Sequence, residues 1–254
     1  LVPFADSSEV ELVVTRATEN ANVNETKLSL EVFYHKANFC LWTFIFAFAG
    51  CLLAAVNSIF KSRKLDVASN TVSGVAAFVL LVAFILRFYI AARPPLSSLY
   101  EIVLLVALLL EAFEFGAFLF CKRRTFTLMV PVTMMAAVLL FFAKFVLEPG
   151  DLFQPIPAVL NSSVFLTIHV FTIALGFAGM ILSGIVAHVA LVRVNGTAPL
   201  MQLLYGTLVF GTVFSIVGTL LGGVWADFAW GRFWGFDPKE CGALFVCLWG
   251  MLAL

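Results

Sequence analysis

Runs of about twenty apolar residues, separated by short polar breaks, fill most of the chain. They fall at about 39–60, 71–90, 99–120, 125–143, 162–192 and 203–224, and a shorter seventh run starts at 241. A helix rises 1.5 Å per residue, so about 20 apolar residues cross the ~30 Å hydrocarbon layer. The pattern predicts an all-α polytopic membrane helix bundle, with about six complete transmembrane helices and a truncated seventh. Residues 1–38 break the pattern. They carry Asp6, Glu9, Glu11, Glu19, Glu25 and Glu31 against Arg16, Lys27 and Lys36. They read as the polar, extracytoplasmic tail of an aqueous region, with residues 39–254 as the transmembrane domain. Residues 10–15, rich in Val, are a candidate strand. No basic start followed by an apolar core marks a signal peptide.

Composition sharpens the class. The 254 residues are 62% hydrophobic and only 12% charged, about half the charged share of a soluble domain. Mean hydropathy is +1.06. The formal net charge is zero, which gives no general attraction to nucleic acid and leaves the lipid bilayer as the expected surroundings. The chain starts with Leu1 rather than Met, and the run Leu244 to Leu254 is too short to cross a bilayer. Both features suggest a segment of a longer polypeptide.

The polar breaks predict orientation. Lys61, Arg63 and Lys64 occupy one break, Lys122, Arg123 and Arg124 another, and Arg193 a third. These breaks alternate along the chain, so all three can face the cytoplasm or a plastid stroma. The acidic N-terminal tail, the 91–98 and 144–161 breaks and the Trp-rich stretch near 222–240 then face outward.

Most of the candidate chemistry lies in that last stretch. Three of the five tryptophans, Trp225, Trp230 and Trp234, fall within it, together with Arg232, Phe236, Asp237, Lys239 and Glu240. Tryptophans gather at membrane interfaces as a belt, but a belt does not require four charged residues in one place. A flat aromatic surface with charged edges suits a large planar anion such as haem, with Arg232 or Lys239 pairing to its carboxylates. Asp237 has a structural alternative, as the N-cap of a helix that begins at Pro238. His169 lies near the outer end of the fifth run. It is either an axial ligand for haem iron or a histidine hydrogen-bonded to a neighbouring helix. His188, 19 residues on, is about 28 Å away along the helix, at the opposite end, and suits an interfacial or packing role. His35 reads as a solvated interfacial residue.

Elsewhere Pro94 and Pro95 stop the second helix, and Ser97 or Ser98 can cap the third. Glu101 falls in that helix's first turn, where a carboxylate suits the helix dipole. Glu111 and Glu114 share a helix face and are a candidate proton or cation path if the third helix reaches residue 120. Gly218 and Gly222 form a G-x-x-x-G helix contact. The five cysteines form no C-x-x-C, so the chain neither attaches haem covalently nor resembles a thiol oxidoreductase.

Three elements together carry a family resemblance. The stretch GGVWADFAWGRFWGFDPKE resembles the tryptophan-rich WWD motif of haem-handling membrane proteins of cytochrome c maturation. PPLSSLYE resembles the P-L-S-N-L-Y-E element of the CcsA (ResC) type, and LTIHV resembles the segment holding the first outer-face haem histidine. CcmC and CcmF are more distant relatives. The resemblance covers roughly residues 39–254. It implies that haem b, as ligand and substrate, moves to an outer site and is presented to the C-x-x-C-H thiols of apocytochrome c. It also implies a ResB-like partner domain or subunit and a place in a cytochrome c synthase (haem lyase) complex, in a bacterial inner membrane or a plastid thylakoid. His169 would ligate the iron, and Trp225, Trp230, Arg232, Trp234, Phe236 and Asp237 would hold the porphyrin. The second axial histidine would follow Leu254. One departure stands out: Phe236 replaces the second Trp of the family's Trp-x-Trp-Asp, which keeps an aromatic face and loses an indole N–H donor. A haem-binding adaptor that loads a chaperone, and an ion or solute transporter using Glu111 and Glu114, are the alternative readings.

Overall fold

The computed structural model describes residues 25–120, 126–148, 153, 164–193 and 198–254. The candidate strand at 10–15 and the basic break at 122–124 lie outside the described residues. The chain divides into two compact units, Leu1–Asn38 and Phe39–Leu254. In the first, the described part is one helix, α1 (Glu25–Ala37).

The second unit is a helix bundle built of α2 (Phe39–Phe60), α3 (Arg63–Ala91), α4 (Leu99–Phe120), α5 (Phe126–Phe142), α6 (Val164–Val192), α7 (Ala198–Trp230) and α8 (Pro238–Ala253). A single π-helical turn, Ala143–Leu147, follows α5. No strand occurs among the described residues. Six helices, corresponding to α2 through α7, are long and apolar enough to cross a membrane. The protein is therefore a polytopic membrane helix bundle, with α8 as the short seventh element.

Polarity runs from inside to outside. Small and polar residues such as Ala47, Ala76, Thr43, Ser69 and Ser73 are buried, whereas Phe78 (65% exposed), Ile59 and Leu220 face outward. Large apolar side chains on the exterior suit a hydrocarbon solvent. Between helices in lipid, close packing of small residues takes over the role that hydrophobic burial has in water. The bundle's larger side chains still make local clusters. One joins Leu110 of α4, Val132 and Ala136 of α5, and Leu182 and Ile185 of α6.

Two helices are longer than hydropathy predicts. α3 starts at Arg63 instead of about 71, because Asp66, Ser69 and Asn70 are buried within the bundle. Polar residues that face protein lower a hydropathy average without ending a span. α7 runs from Ala198 to Trp230 instead of about 203–224. Much of the stretch read as a Trp-rich loop is thus helix, and only residues 231–237 form the connection to α8.

The most extensive pairing is α6 with α7. It is an antiparallel small-residue seam. A Cβ added at Gly176 would lie 2.7 Å from the Ser215 backbone nitrogen, at Gly179 2.8 Å from Gly211 Cα, and at Gly218 2.9 Å from Ile173 Cα. The G-x-x-x-G pair Gly218/Gly222 is the last part of this seam, and it positions the candidate site.

Candidate functional site

At the end of the α6/α7 seam the small residues of α7 meet an imidazole. His169 stands five residues after the start of α6. Its Nδ1 lies 2.7 Å from the Gly218 carbonyl oxygen. A carbonyl oxygen only accepts, so Nδ1 carries the proton and donates. Nε2 is left as the lone-pair nitrogen of a neutral ring, the form that binds a metal. One turn later on α7, Gly222 forms the seat of the ring. A Cβ there would fall 2.6 Å from His169 Cε1, so any larger residue pushes the imidazole away. Hydrogen bonding to the neighbouring helix and metal ligation, alternatives on sequence, are compatible here, since they use different nitrogens.

Beyond Gly222 the same face of α7 carries Trp225, which is buried at 8% exposure. Its ring meets Trp230 edge-on, with centroids 4.7 Å apart. Trp230 ends the helix half exposed. Phe228 stacks on Phe165 of α6 at 5.4 Å, closing the end of the helix pair. The chain then reverses at Gly231, whose φ of +68° is open to glycine at no steric cost. Phe233 folds back onto Gly223, where a Cβ would lie 2.6 Å from its ring. Trp234 meets Phe236 edge-on at 6.2 Å. Phe236 is 75% exposed and has a φ of +57°, an uncommon conformation for a bulky residue.

The connection is held by charge. Asp237 Oδ1 accepts from the backbone N–H groups of Lys239 and Glu240, both at 2.8 Å. Glu240 Oε2 accepts in return from Asp237 N at 3.3 Å, completing a capping box with Pro238 in the first turn of α8. Glu240 does more than cap. The same oxygen accepts from Gly235 N at 2.6 Å, and Oε1 accepts from Arg232 Nη1 at 3.1 Å. Arg232 also lies 4.0 Å from Asp237 Oδ2 and 5.7 Å over the Trp230 ring, a cation–π distance. Its guanidinium crosses Gly235, where a Cβ would fall 1.5 Å from Nη1. A side chain at position 235 would therefore make the guanidinium take another path.

These placements sort the expected porphyrin contacts. His169, Trp225 and Trp230 belong to one helix pair, with Trp225 serving the packing. Trp234 and Phe236 lie on the connection. Asp237 is committed to the α8 cap, the structural alternative read from sequence. Arg232 is the strut between the aromatic residues and Glu240, and still 42% exposed. Lys239 makes no ion pair among the described residues. Three contributors were not singled out as site residues by the sequence reading. Glu240 was legible as the fourth residue of an Asp-x-x-Glu capping box. Gly222 was seen only as a helix contact, and Phe233 carried no signal.

The PPLSSLYE element is also built around a carboxylate. Ser98 Oγ accepts from Glu101 N at 3.2 Å, and Glu101 Oε2 accepts from Ser97 N and Ser98 N at 2.8 and 3.2 Å. Capping does not exhaust Glu101, which is 1% exposed. Its Oε1 pairs with Arg87 Nη2 at 2.7 Å, and Arg93 lies 3.6 Å from Oε2. The Arg87 guanidinium sits over the rings of Tyr100 and Phe153. Arg87 is itself buried and ties α3 to α4. His188 donates through Nδ1 to the Gly184 carbonyl of its own helix at 2.6 Å and lines a largely apolar cavity of about 580 Å³ with Arg193.

The bundle thus ends in an aromatic connection beside a histidine whose Nδ1 is held by a backbone carbonyl. Comparison with known proteins places it further: the family described as Cytochrome C assembly protein matches residues 96–254, more than half of the chain, and the chain belongs to that family. It is 28% identical to Protein NrfI of Wolinella succinogenes over 204 residues, 74% of this chain and 22% of that protein. It is 28% identical to the cytochrome c biogenesis protein CcsA of Chlamydomonas reinhardtii over 214 residues, 77% of this chain and 59% of that protein. With CcsA of Synechococcus sp. (strain CC9311) the identity is 27% over 250 residues, 80% of each chain. The chain thus spans about a fifth of the first relative and three fifths of the second.

Proposed function

We propose that this chain binds haem b at the Trp-rich end of the bundle and presents it for covalent attachment to apocytochrome c. The observation that carries the reading is the bond from His169 Nδ1 to the Gly218 carbonyl, which leaves Nε2 with its lone pair at the end of the bundle that bears Trp230, Trp234 and Phe236. The donor set fits: one neutral imidazole for iron, exposed aromatic faces for the macrocycle, and Arg232 and Lys239 for propionates. The names of the CcsA relatives agree with a role in cytochrome c biogenesis.

Bound haem supplies the vinyl groups to which the apocytochrome thiols add. The chain's own residues contribute orientation and exclusion of water. Positioning alone can supply a large part of a rate enhancement. The chain is on this reading part of a cytochrome c synthase complex with a ResB-like partner. The alternation of the basic breaks supports an orientation with the Trp-rich end on the outer, periplasmic or lumenal, side.

The test is the absorption spectrum of the full-length protein purified from its native membrane. A haem Soret band is expected, weakened or shifted in His169→Ala and partly restored by added imidazole. A colourless protein that also refuses added haem, or a band unchanged in His169→Ala, overturns the reading.

A further inference from the structure

A second polar feature lies in the other half of the bundle, among α2, α3, α4 and α5. The buried face of α3 carries Asp66, Ser69, Asn70 and Ser73, one stripe at steps of three and four residues. α2 packs against it with Gly50 and Asn57. Ser69 Oγ donates to the Gly50 carbonyl at 3.0 Å. Asn70 Nδ2 donates to the Asp66 carbonyl at 2.7 Å. Ser73 Oγ lies over Gly50, where a Cβ would approach it to 2.5 Å.

The stripe leads to a pair of carboxylates. Glu111 and Glu114 of α4 are 0% and 2% exposed, inside the candidate membrane span Leu99–Leu119. The hydroxyls of Ser73 and Thr133 face Glu114, and Cys51 of α2 faces both acids. Among the described residues both Glu111 oxygens, Asn70 Oδ1 and both amide atoms of Asn57 lack a hydrogen-bond partner, and Glu114 has only the loosely placed Ser73 and Thr133 hydroxyls beside it. Buried polar groups are rarely orphaned, and a run of them in one seam calls for a ligand or bound water. A charged carboxylate unpaired at this depth is costly, and a second on the same helix face adds repulsion.

We propose that Glu111 and Glu114 form a proton-binding site, reached by water along the Asp66–Asn57–Asn70–Ser73 seam from the membrane face that carries Lys61, Arg63 and Lys64. The seam begins one turn into α3, beside those basic residues, and ends at Glu111, about 13 Å along α4 from its Phe120 end. A proton on each carboxyl removes the buried charge and provides an O–H donor for the orphaned oxygens nearby. The seam mixes donors with acceptors, as a hydrogen-bonded water chain requires. Amide N–H donors would oppose a metal cation there, and no grouping of three His, Cys, Asp or Glu residues able to hold one occurs among the described residues. The ionisable groups facing the pair are Cys51 and, at the seam's mouth, Asp66; α5 contributes only the Thr133 hydroxyl. The inference does not rest on the haem reading.

Infrared difference spectroscopy of the full-length protein in lipid nanodiscs tests it. A carboxylic-acid C=O band is expected at neutral pH. It should shift promptly in D₂O, show no response to Na⁺ or K⁺, and be diminished in Glu111→Gln and in Glu114→Gln. Asn57→Leu, which leaves both acids in place, should retain the band and slow its exchange. An unchanged thermal melt shows that each variant is folded. Absence of the band, a position that follows the alkali cation, a band that does not exchange, or exchange unaffected by Asn57→Leu would each overturn the proposal.

Discussion

One imidazole nitrogen decides what His169 can do. Its Nδ1 is held by the Gly218 carbonyl, and the ring rests on Gly222. Adding a single methyl at position 222 therefore reaches a ligand on another helix. Gly222→Ala is expected to displace the imidazole and shift the Soret band toward that of His169→Ala, while α7, which favours Ala over Gly by about 1 kcal/mol, stays helical by circular dichroism. Phe236 gives a second case. It holds φ at +57° with most of its ring exposed, so the strain serves no buried packing. Phe236→Gly is expected to relieve about 1 kcal/mol of backbone strain, raising thermal stability slightly while lowering haem retention, measured as the off-rate to apomyoglobin. Such opposed signs are what a residue held strained for binding would show.

Among the elements, the 231–237 connection depends most on one carboxylate. Glu240 joins the Gly235 N–H, the Asp237 N–H and the Arg232 guanidinium. Glu240→Gln keeps the shape, weakens the capping box and removes the ion pair. Loss of a cap costs about 1 kcal/mol, and an exposed pair adds at most about 1 kcal/mol. Faster proteolysis at Gly231–Gly235 and weaker haem binding are the expected results, with the melt of the whole bundle little changed. The α3–α4 junction behaves differently, because Arg87 and Glu101 are both buried. Breaking a buried pair from one side costs about 3–5 kcal/mol. Glu101→Gln should lower the melting temperature and the yield of the bundle itself.

For the whole molecule, topology can be read by thiol chemistry. Cys241, at the start of α8, is exposed, whereas Cys40, Cys51 and Cys247 are buried. With the Trp-rich end outside, a membrane-impermeant maleimide added to intact cells or right-side-out vesicles should label Cys241, tested in a Cys121→Ser background. Labelling only after permeabilisation would invert the proposed orientation. The bundle's inside-out polarity explains which features were legible beforehand. The runs at 39–60 and 99–120 coincide with α2 and α4, because both ends of each helix also end its apolar run. The start of α3 and the last turns of α7 were misplaced for one reason. Asp66, Ser69, Asn70 and the residues around Trp225 to Trp230 look like loop to an average over composition, yet they are helical and turn partly inward.

Much about the protein follows from order along the chain. Apolar run length dictates how many helices span, Asp-Pro-x-Glu starts α8, Ser-x-x-Glu starts α4, and the Trp-rich stretch marks the candidate site. These are local effects, acting within a few residues. Contacts between distant positions required the fold. Only packing of α6 on α7 sets the Gly218 carbonyl against His169 and so selects its tautomer. Only the crossing of α2, α3 and α4 gathers Asn57, Ser73 and Glu114 into one seam. Whether a polar residue ends a helix, caps it, pairs or waits for a ligand depends on which neighbour shares its interior, and spacing along the chain holds no record of that.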